Sequence, residues 1–310
     1  MTRPTASLGV DVDGLKHYYR IHGLNENDAS DAVWTIAVPR FVELFARFDV
    51  QATFYCIAED LEVDENVERV RALVRQGHEI GNHSLTHPYD LTRLSAEAMA
   101  REVAESRAIL SAASGFNVVG FRAPGYTTNQ QLIAAVMASG HRYDTSVFPC
   151  GPYYLAKAAV MGGMRLLGRQ SESILGPPAV LLADRDPYEM DLAHPYRHRS
   201  GGPPQFPISV CAGCPLIGTA FSTLGPSMSR WLIRLACRRR QHLTIEFHGL
   251  DLLELATDDL DPALRAQYDL GISLRRKRAS FSAVIETLTR YARIIRLDAL
   301  VDSVEKKGQQ

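Results

Sequence analysis

Residues 7–14, Ser-Leu-Gly-Val-Asp-Val-Asp-Gly, contain the pattern on which the prediction of the fold rests. The apolar run Ser7–Val12 is typical of a buried strand, and Asp11 and Asp13 stand at its end. Alternate residues of a strand share a face, so we expect both carboxylates to point to one side. Two carboxylates this close repel each other unless a proton or a cation lies between them. At this point a solvated acidic turn explains the pair equally well.

Strand and helix patterns alternate from this run to about residue 144. Strands are predicted at 52–57, 79–81, 118–121 and 141–144, and helices at 36–48, 65–75, 95–113 and 129–138. A helix at 223–239 and a strand at 242–247 follow later in the chain. Strand, helix and strand at this spacing are typical of parallel βαβ units. Repeated about seven times, the pattern predicts an α/β fold, a (β/α) barrel or a distorted relative, with its chemistry at the carboxyl ends of the strands.

The alternation is interrupted between residues 150 and 221, where prolines and glycines are frequent. Because regular elements resume afterwards, we interpret 150–221 as an elaboration on the barrel and 1–310 as a single domain. The apolar stretch Tyr153–Leu167 is interpreted as a lid helix, with a channel for an acyl or polyprenyl chain as the alternative. Cys211 and Cys214 have the spacing of metal ligands, but no second pair follows, so incidental thiols are favoured.

The composition excludes several classes of protein. Hydrophobic residues make up 46% and charged residues 22% of the 310 residues, which is typical of a globular chain. Thirty-four basic and 35 acidic side chains leave a net charge of −1, which argues against a nucleic-acid partner. We find no apolar run of the ~18 residues needed for a membrane span and no signal peptide, so a cytoplasmic location is expected. Five cysteines, an odd number, do not indicate a disulfide framework.

Three further groups of polar residues follow predicted strands. In His83-Ser84-Leu85-Thr86-His87, both imidazoles share a face if the segment makes a helical turn, and they can then bind one metal ion. Arg122 follows another strand, where its guanidinium can pair with a carboxylate. His248 ends the strand predicted near the carboxyl end of the chain. Each group alone is explained as well by ordinary loop or packed side chains, but a barrel brings all of them to one mouth.

Taken together, the motifs resemble those of the polysaccharide deacetylases, the NodB-homology or carbohydrate esterase family four fold, over most of the chain. Asp11-Val12-Asp13 resembles the first family motif, with its two aspartates one residue apart. His83-Ser84-Leu85-Thr86-His87 matches the metal-binding motif His-Ser/Thr-x-x-His. Arg122-Ala123-Pro124 matches the third motif. Ile245–His248 resembles the strand that ends in the catalytic histidine.

The resemblance implies a deformed (β/α)7 barrel and one divalent metal ion held by Asp13, His83 and His87. Zn²⁺ is expected first, with Co²⁺, Ni²⁺ or Fe²⁺ as alternatives. The resemblance also implies that Asp11 acts as the general base and that His248 acts as the general acid.

Four further residues receive roles from the resemblance. Arg122 would keep Asp11 charged and oriented. The third family motif commonly reads Arg-x-Pro-Tyr-Gly, with the tyrosine N–H in the oxyanion hole. Here Gly125 follows the proline and Tyr126 comes next, so either N–H can serve. The family aspartate that tunes the acid histidine has no clean copy, and Asp144 is the nearest candidate.

The implied function is metal-dependent removal of an N-acyl group, acetyl or formyl, from an amino sugar. Residues 38–40 and 143–146 are similar to a subgroup that includes peptidoglycan-deacetylase-like proteins, allantoinase-like proteins and cyclic imide hydrolases. A cyclic imide hydrolase is therefore the first alternative, and a non-catalytic sugar-binding module is the second. A polymer needs an open groove, so the long segment 150–221 favours a small-molecule, lipid-linked or oligosaccharide substrate. The sequence does not identify the acyl group, the native metal or the oligomeric state. A homo-oligomer is one of the alternatives.

Overall fold

The structure, a computed structural model, describes residues 3–166 and 174–308. In chain order its strands are β1 (Thr5–Val12), β2 (Thr53–Cys56), β3 (Glu79–Asn82), β4 (Gly120–Phe121), β5 (Tyr143–Asp144), β6 (Tyr188–Asp191), β7 (His194–His198), β8 (Pro204–Gln205), β9 (Val210–Cys211), β10 (Cys214–Pro215), β11 (His242–His248) and β12 (Arg293–Ile294). Its α-helices are α1 (Leu15–His22), α2 (Val38–Ala46), α3 (Asp64–Arg75), α4 (Ala96–Ser114), α5 (Gln130–Ala138), α6 (Gly151–Leu166), α7 (Gly218–Leu224), α8 (Pro226–Arg239), α9 (Leu274–Tyr291) and α10 (Leu297–Gly308). This alternation confirms the predicted α/β class.

Contacts between Cα atoms divide the chain into two compact units, each built from three separate segments. The described residues of Met1–Phe54, Glu68–Glu79 and Leu216–Arg296 form unit 1. Those of Tyr55–Val67, Ile80–Pro215 and Leu297–Gln310 form unit 2. The single domain expected from the sequence stays a prediction.

In unit 1, the first strand of the chain pairs with one of the last. β1 and β11 run parallel, with a register that extends from Thr5 opposite His242 to Asp11 opposite His248. β12 also pairs in parallel with β1. Because the two long strands point the same way, their carboxyl ends lie at the same edge, and the predicted base and acid stand opposite each other.

A cluster of aromatic side chains orients β11. The ring of Phe247 contacts four other phenylalanines of unit 1, at centroid distances of 5.7 Å to Phe41, 6.4 Å to Phe45, 6.4 Å to Phe221 and 4.9 Å to Phe281. Successive side chains of a strand point to opposite faces. The residues on either side of Phe247 therefore point away from this aromatic core.

In unit 2, short parallel pairings connect four strands. Asn82 of β3 pairs with Phe121 of β4, which pairs with Asp144 of β5. Asp144 pairs in turn with Gln205 of β8. The residues that follow β3 and β4 therefore leave these strands at the same edge.

The predicted elaboration contains regular structure of its own. It supplies β8 to the pairing with β5, and β6 runs antiparallel to both β8 and β7. Cys211 and Cys214 lie opposite each other in the hairpin β9–β10, and neither forms a disulfide. Helix α6 contains most of the stretch predicted as a lid, of which Leu167 lies outside the described residues.

The helix predicted at 223–239 is in fact two helices. The break lies at Gly225, whose φ of 79° and ψ of 173° are not helical, and at Pro226, which begins α8. Proline has no N–H to continue the preceding helix, so α7 ends and a new helix begins. Among the described residues, no helix is long and apolar enough to cross a membrane.

Candidate functional site

His83 and His87 are buried side by side in unit 2, with ring centroids 5.0 Å apart. The segment does not make the helical turn that would place both imidazoles on one helix face; it is a bent loop. Ser84 and His87 have φ angles of 74° and 58°, in the left-handed region that side chains rarely adopt. The loop therefore reaches the expected proximity of the two imidazoles by backbone strain.

Side chains of the same unit hold this loop in place. Asn82 Oδ1 accepts the N–H of Ser84 at 2.9 Å, and Ser84 Oγ accepts the N–H of His87 at 3.0 Å. The carboxylate of Glu102, on α4, accepts the two backbone N–H groups of residues 85–86, each at 3.0 Å. Side-chain oxygens thus accept the backbone N–H groups of residues 84–87, which are not paired within a helix. These hydrogen bonds favour the bent conformation.

The imidazole of His83 is oriented by a backbone carbonyl. Its Nδ1 lies 2.7 Å from the carbonyl oxygen of Arg122. A carbonyl only accepts, so Nδ1 carries the proton and Nε2 keeps its lone pair. Histidines that bind metals are oriented in this way. The side chains of this loop therefore fit a divalent metal ion that prefers nitrogen ligands.

A third buried histidine, His141, is hydrogen-bonded to Asn82, the residue before the loop. Asn82 Nδ2 donates to Nε2 of His141 at 3.1 Å, and His141 Nδ1 lies 2.8 Å from Ser139 Oγ. Burial, together with the nearby charge of Arg107, lowers the pKa of His141 to about 4. The hydrogen bond from Asn82, the residue before His83, therefore requires a neutral His141.

We expect the free energy of unfolding to fall as the pH drops from about 6.5 towards 4. An unfolded histidine takes up a proton near pH 6.5, whereas folded His141 stays neutral down to about 4. Within that window His141 lowers stability by up to about 1.4 kcal/mol per pH unit. Urea unfolding at pH 7, 6 and 5 measures the slope. His141→Gln should reduce the slope by about one proton, whereas the same change at exposed His194 should not. Equal slopes in all three proteins would contradict the prediction.

Arg122 is fully buried in unit 2. Its guanidinium carbon lies 4.1 Å from the centroid of the Tyr55 ring, and Nη2 donates to Thr145 Oγ1 at 3.4 Å. The aromatic face stabilises a buried cation by a cation–π interaction. The guanidinium is thus fixed directly after β4, as predicted.

Asp144 supports the loop that follows Arg122. Its Oδ2 accepts the hydroxyl of Ser146 at 2.7 Å, and Ser146 Oγ accepts the N–H of Ala123 at 2.8 Å. Gln205 donates to the other oxygen, Oδ1, at 2.5 Å. Burial raises the pKa of Asp144, and the hydrogen bonds from Ser146 and Gln205 oppose that rise. The role of Asp144 in tuning the acid histidine stays a prediction.

Gly125 and Tyr126, the two oxyanion candidates, differ in their backbone hydrogen bonds. Both have positive φ angles, 62° and 59°. The N–H of Tyr126 donates to the carbonyl oxygen of Ala123 at 3.2 Å. In the part of the chain that the structure describes, the N–H of Gly125 has no hydrogen-bond partner. Of the two donors, Gly125 is therefore the one available to a ligand.

In unit 1, Asp11 and His248 form a cluster with a third residue, Glu246. Ligand atoms of the three side chains all lie within 4.8 Å of one another. His248 Nε2 is 3.3 Å from Glu246 Oε1, and the backbone N–H of His248 donates to Asp251 Oδ2 at 2.8 Å. Glu246 is fully buried, whereas the His248 side chain is 26% exposed. Asp13 lies two residues beyond Asp11 and is buried as well.

The charge of His248 is controlled by these carboxylates. Burial by itself lowers its pKa, but Glu246, then Asp11, Asp13 and Asp251, outweigh burial and raise the pKa to about 9. The imidazole can therefore carry a proton at neutral pH. Glu246 and Asp251 were missed by the sequence analysis. The spacing Glu246-x-His248 on one strand was the available signal, since residues two apart share a face.

Comparisons with known proteins support the resemblance to the polysaccharide deacetylases. Residues 29–143 match the family model for polysaccharide deacetylase. Over 38% of its length the chain is 33% identical to a chitooligosaccharide deacetylase of Rhizobium leguminosarum bv. phaseoli, covering 52% of that protein. Over 48% of its length it is 23% identical to a peptidoglycan deacetylase of Helicobacter pylori, again covering 52%. The chain thus spans about half the length of these curated relatives.

Two solved structures show the fold. A Mycobacterium smegmatis protein assigned to the polysaccharide deacetylases has a TM-score of 0.61 at 15% identity, with 99% of this chain and 92% of that chain covered. A carbohydrate esterase family four pseudoenzyme from Bacillus anthracis has a TM-score of 0.50 at 12% identity, with 97% and 66% covered. The first likeness confirms the predicted fold class. The family model, the relatives, the fold and the motifs together support the resemblance of this chain to the NodB-homology polysaccharide deacetylases.

Proposed function

We propose that this protein is a metal-dependent hydrolase that removes an N-acyl group from an amino sugar. The observation that carries the proposal is the buried pair His83 and His87, with His83 Nδ1 held by a backbone carbonyl. The relatives named for chitooligosaccharides and peptidoglycan support N-acetylated amino-sugar oligomers as the substrate class.

We propose Asp13, His83 and His87 as the ligands of one divalent metal ion. Two imidazoles and one carboxylate suit Zn²⁺ first, and Co²⁺, Ni²⁺ or Fe²⁺ as well. Three protein ligands leave positions for water and for a substrate oxygen. When bound, the ion supplies Lewis-acid polarisation of the water and of the acyl carbonyl.

The protein residues would then divide the proton transfers and the charge. Asp11 would accept the proton of the attacking water, and Arg122 would orient that carboxylate. The N–H of Gly125 stabilises the negative oxygen that develops on the acyl carbon. His248 donates its proton to the departing nitrogen, and its raised pKa supports that role.

The test is acyl release by the purified protein, supplied with Zn²⁺ or Co²⁺ and a panel of substrates. The panel contains N-acetyl chitooligosaccharides, N-formyl amino sugars and cyclic imides. We expect acetate or formate release that stops when the metal is chelated and returns when it is restored. His194 is exposed, and the control variant His194→Ala should release acetate or formate at the same rate as the unchanged protein.

Two other outcomes would replace the proposal. Ring opening of the imides without acyl release would indicate the cyclic imide hydrolase. Sugar binding without turnover of any substrate would indicate a non-catalytic module, for which the B. anthracis pseudoenzyme is a structural precedent.

A further inference from the structure

We propose that Lys157, on α6, forms an anion-binding subsite beside the turn of Gly125 and Tyr126. The subsite would take an amino sugar that carries a carboxylate or a phosphate. The assignment of the ligand as a substrate rests on the proposed function, whereas the binding of an anion by Lys157 does not.

The first support is the placement of the ammonium group. Lys157 is half-buried, and its Nζ donates to the carbonyl oxygen of Gly125 at 3.3 Å. Among the described residues, no carboxylate forms an ion pair with Lys157. Burial lowers the pKa of Lys157 to about 8, so the group is still mostly charged at neutral pH. A partly desolvated cation without a counter-charge is a natural partner for an anionic ligand group.

The second support is a group of aromatic rings beside the lysine. Tyr153 lies one helical turn before Lys157 on α6, so both side chains leave the same helix face. The rings of Tyr126, Phe148 and Tyr153, here termed the aromatic cluster, contact one another at centroid distances of 4.8 to 6.1 Å. Tyr126 and Tyr153 remain partly exposed. Such rings can pack against the apolar face of a sugar while the ammonium group holds its charged substituent.

The third support is a series of contacts within unit 2 that leads from Lys157 to the proposed metal ligands. The rings of His87 and Tyr89 meet edge to face at 4.6 Å. A Cβ added to Gly125 would lie 3.5 Å from Tyr89 Cδ1 and 3.8 Å from Lys157 Nζ. The backbone of Gly125 therefore lies between Tyr89, which contacts His87, and the ammonium group of Lys157. One substrate can place its acyl group near the histidines and its anionic group at Lys157.

The experiment compares neutral and anionic substrates in the protein and in two variants. N,N′-diacetylchitobiose is neutral, N-acetylglucosamine 1-phosphate carries a phosphate, and N-acetylmuramic acid carries a carboxylate. Lys157→Met should raise KM for the anionic sugars roughly ten- to hundredfold, the usual value of a charge-assisted hydrogen bond. It should change KM for the neutral sugar by no more than about twofold, since no charge is lost from that contact. Lys157→Arg should restore most of the affinity.

The control removes a positive charge elsewhere in the same unit. Arg101 is exposed on α4, and Arg101→Met should change neither class of substrate. A loss for phosphate but not carboxylate would identify the phosphate sugar as the ligand, and the reverse result would identify the carboxylate sugar. An equal loss for neutral and anionic sugars in Lys157→Met would overturn the proposal, because the lysine would then only support the fold.

A binding measurement separates this proposal from the proposed function. Calorimetry with N-acetylglucosamine 1-phosphate and N-acetylmuramic acid needs no turnover, and the metal content is kept equal in all samples. If the sugars are not hydrolysed but the unchanged protein binds an anionic sugar more tightly than Lys157→Met does, the proposed function fails and the subsite stands. If both proteins bind the anionic sugars equally, the subsite is wrong whatever the activity.

Discussion

Replacing His83 with alanine is expected to remove bound metal and turnover together. The bent loop of residues 83–87 offers two imidazoles. His83 Nδ1 donates to the Arg122 carbonyl, which leaves the lone pair of Nε2 for a metal ion. Without that nitrogen, the metal content should fall from about one equivalent to near zero. The transition-state stabilisation supplied by the metal, several kcal/mol, corresponds to a loss of at least about 10³ in kcat.

Metal analysis of the purified variant and steady-state kinetics with added Zn²⁺ provide the measurement. His194→Ala is the matched control, because it removes an exposed imidazole that we place outside the site. A His83→Ala protein that retains a full equivalent of metal and full activity would show that the ion binds elsewhere.

The second large effect is expected at the two aspartates of the first motif. Asp11→Asn keeps the shape of the side chain but cannot accept the proton, so the metal should remain bound. We expect kcat to fall by about 10²–10⁴, the usual contribution of a positioned general base. kcat/KM should fall equally, because only the transition state uses this proton transfer. Asp13→Ala should instead lose metal and turnover together.

Metal content and kinetics of both variants, measured side by side, decide between the two roles. If Asp11→Asn loses the metal while Asp13→Ala retains it, the roles are reversed. If Asp11→Asn keeps full activity, the base is another group.

The sequence predicted β1 and β11 well because their patterns are local. β1 and β11 are buried along most of their length, so each is rich in apolar and β-branched residues and has polar residues towards its carboxyl end. The break between α7 and α8 was missed, although Gly225-Pro226 was visible in the sequence. The helical spacing of apolar residues continues across that break, and such periodicity alone does not predict where one helix ends and the next begins.

The site was predicted less completely, because its details depend on tertiary contacts. The bend between His83 and His87 results from hydrogen bonds to Glu102, which lies outside the motif. Glu246 was read as a member of a strand, and its effect on the pKa of His248 follows only from the side chains around it. Lys157 carried no signal, since its partner, the carbonyl of Gly125, lies 32 residues away in the sequence.

The pairing of β1 with β11 also has a consequence for biosynthesis. Thr5 and His242 are 237 positions apart, so a ribosome releases β1 long before its parallel partner exists. Until then the nascent chain exposes an apolar strand with an unpaired edge, which is open to aggregation. Pairings this distant in sequence also slow folding, since the loop must close before the contacts form. We therefore expect truncated chains that end before residue 242 to need chaperones and to be cleared by proteolysis.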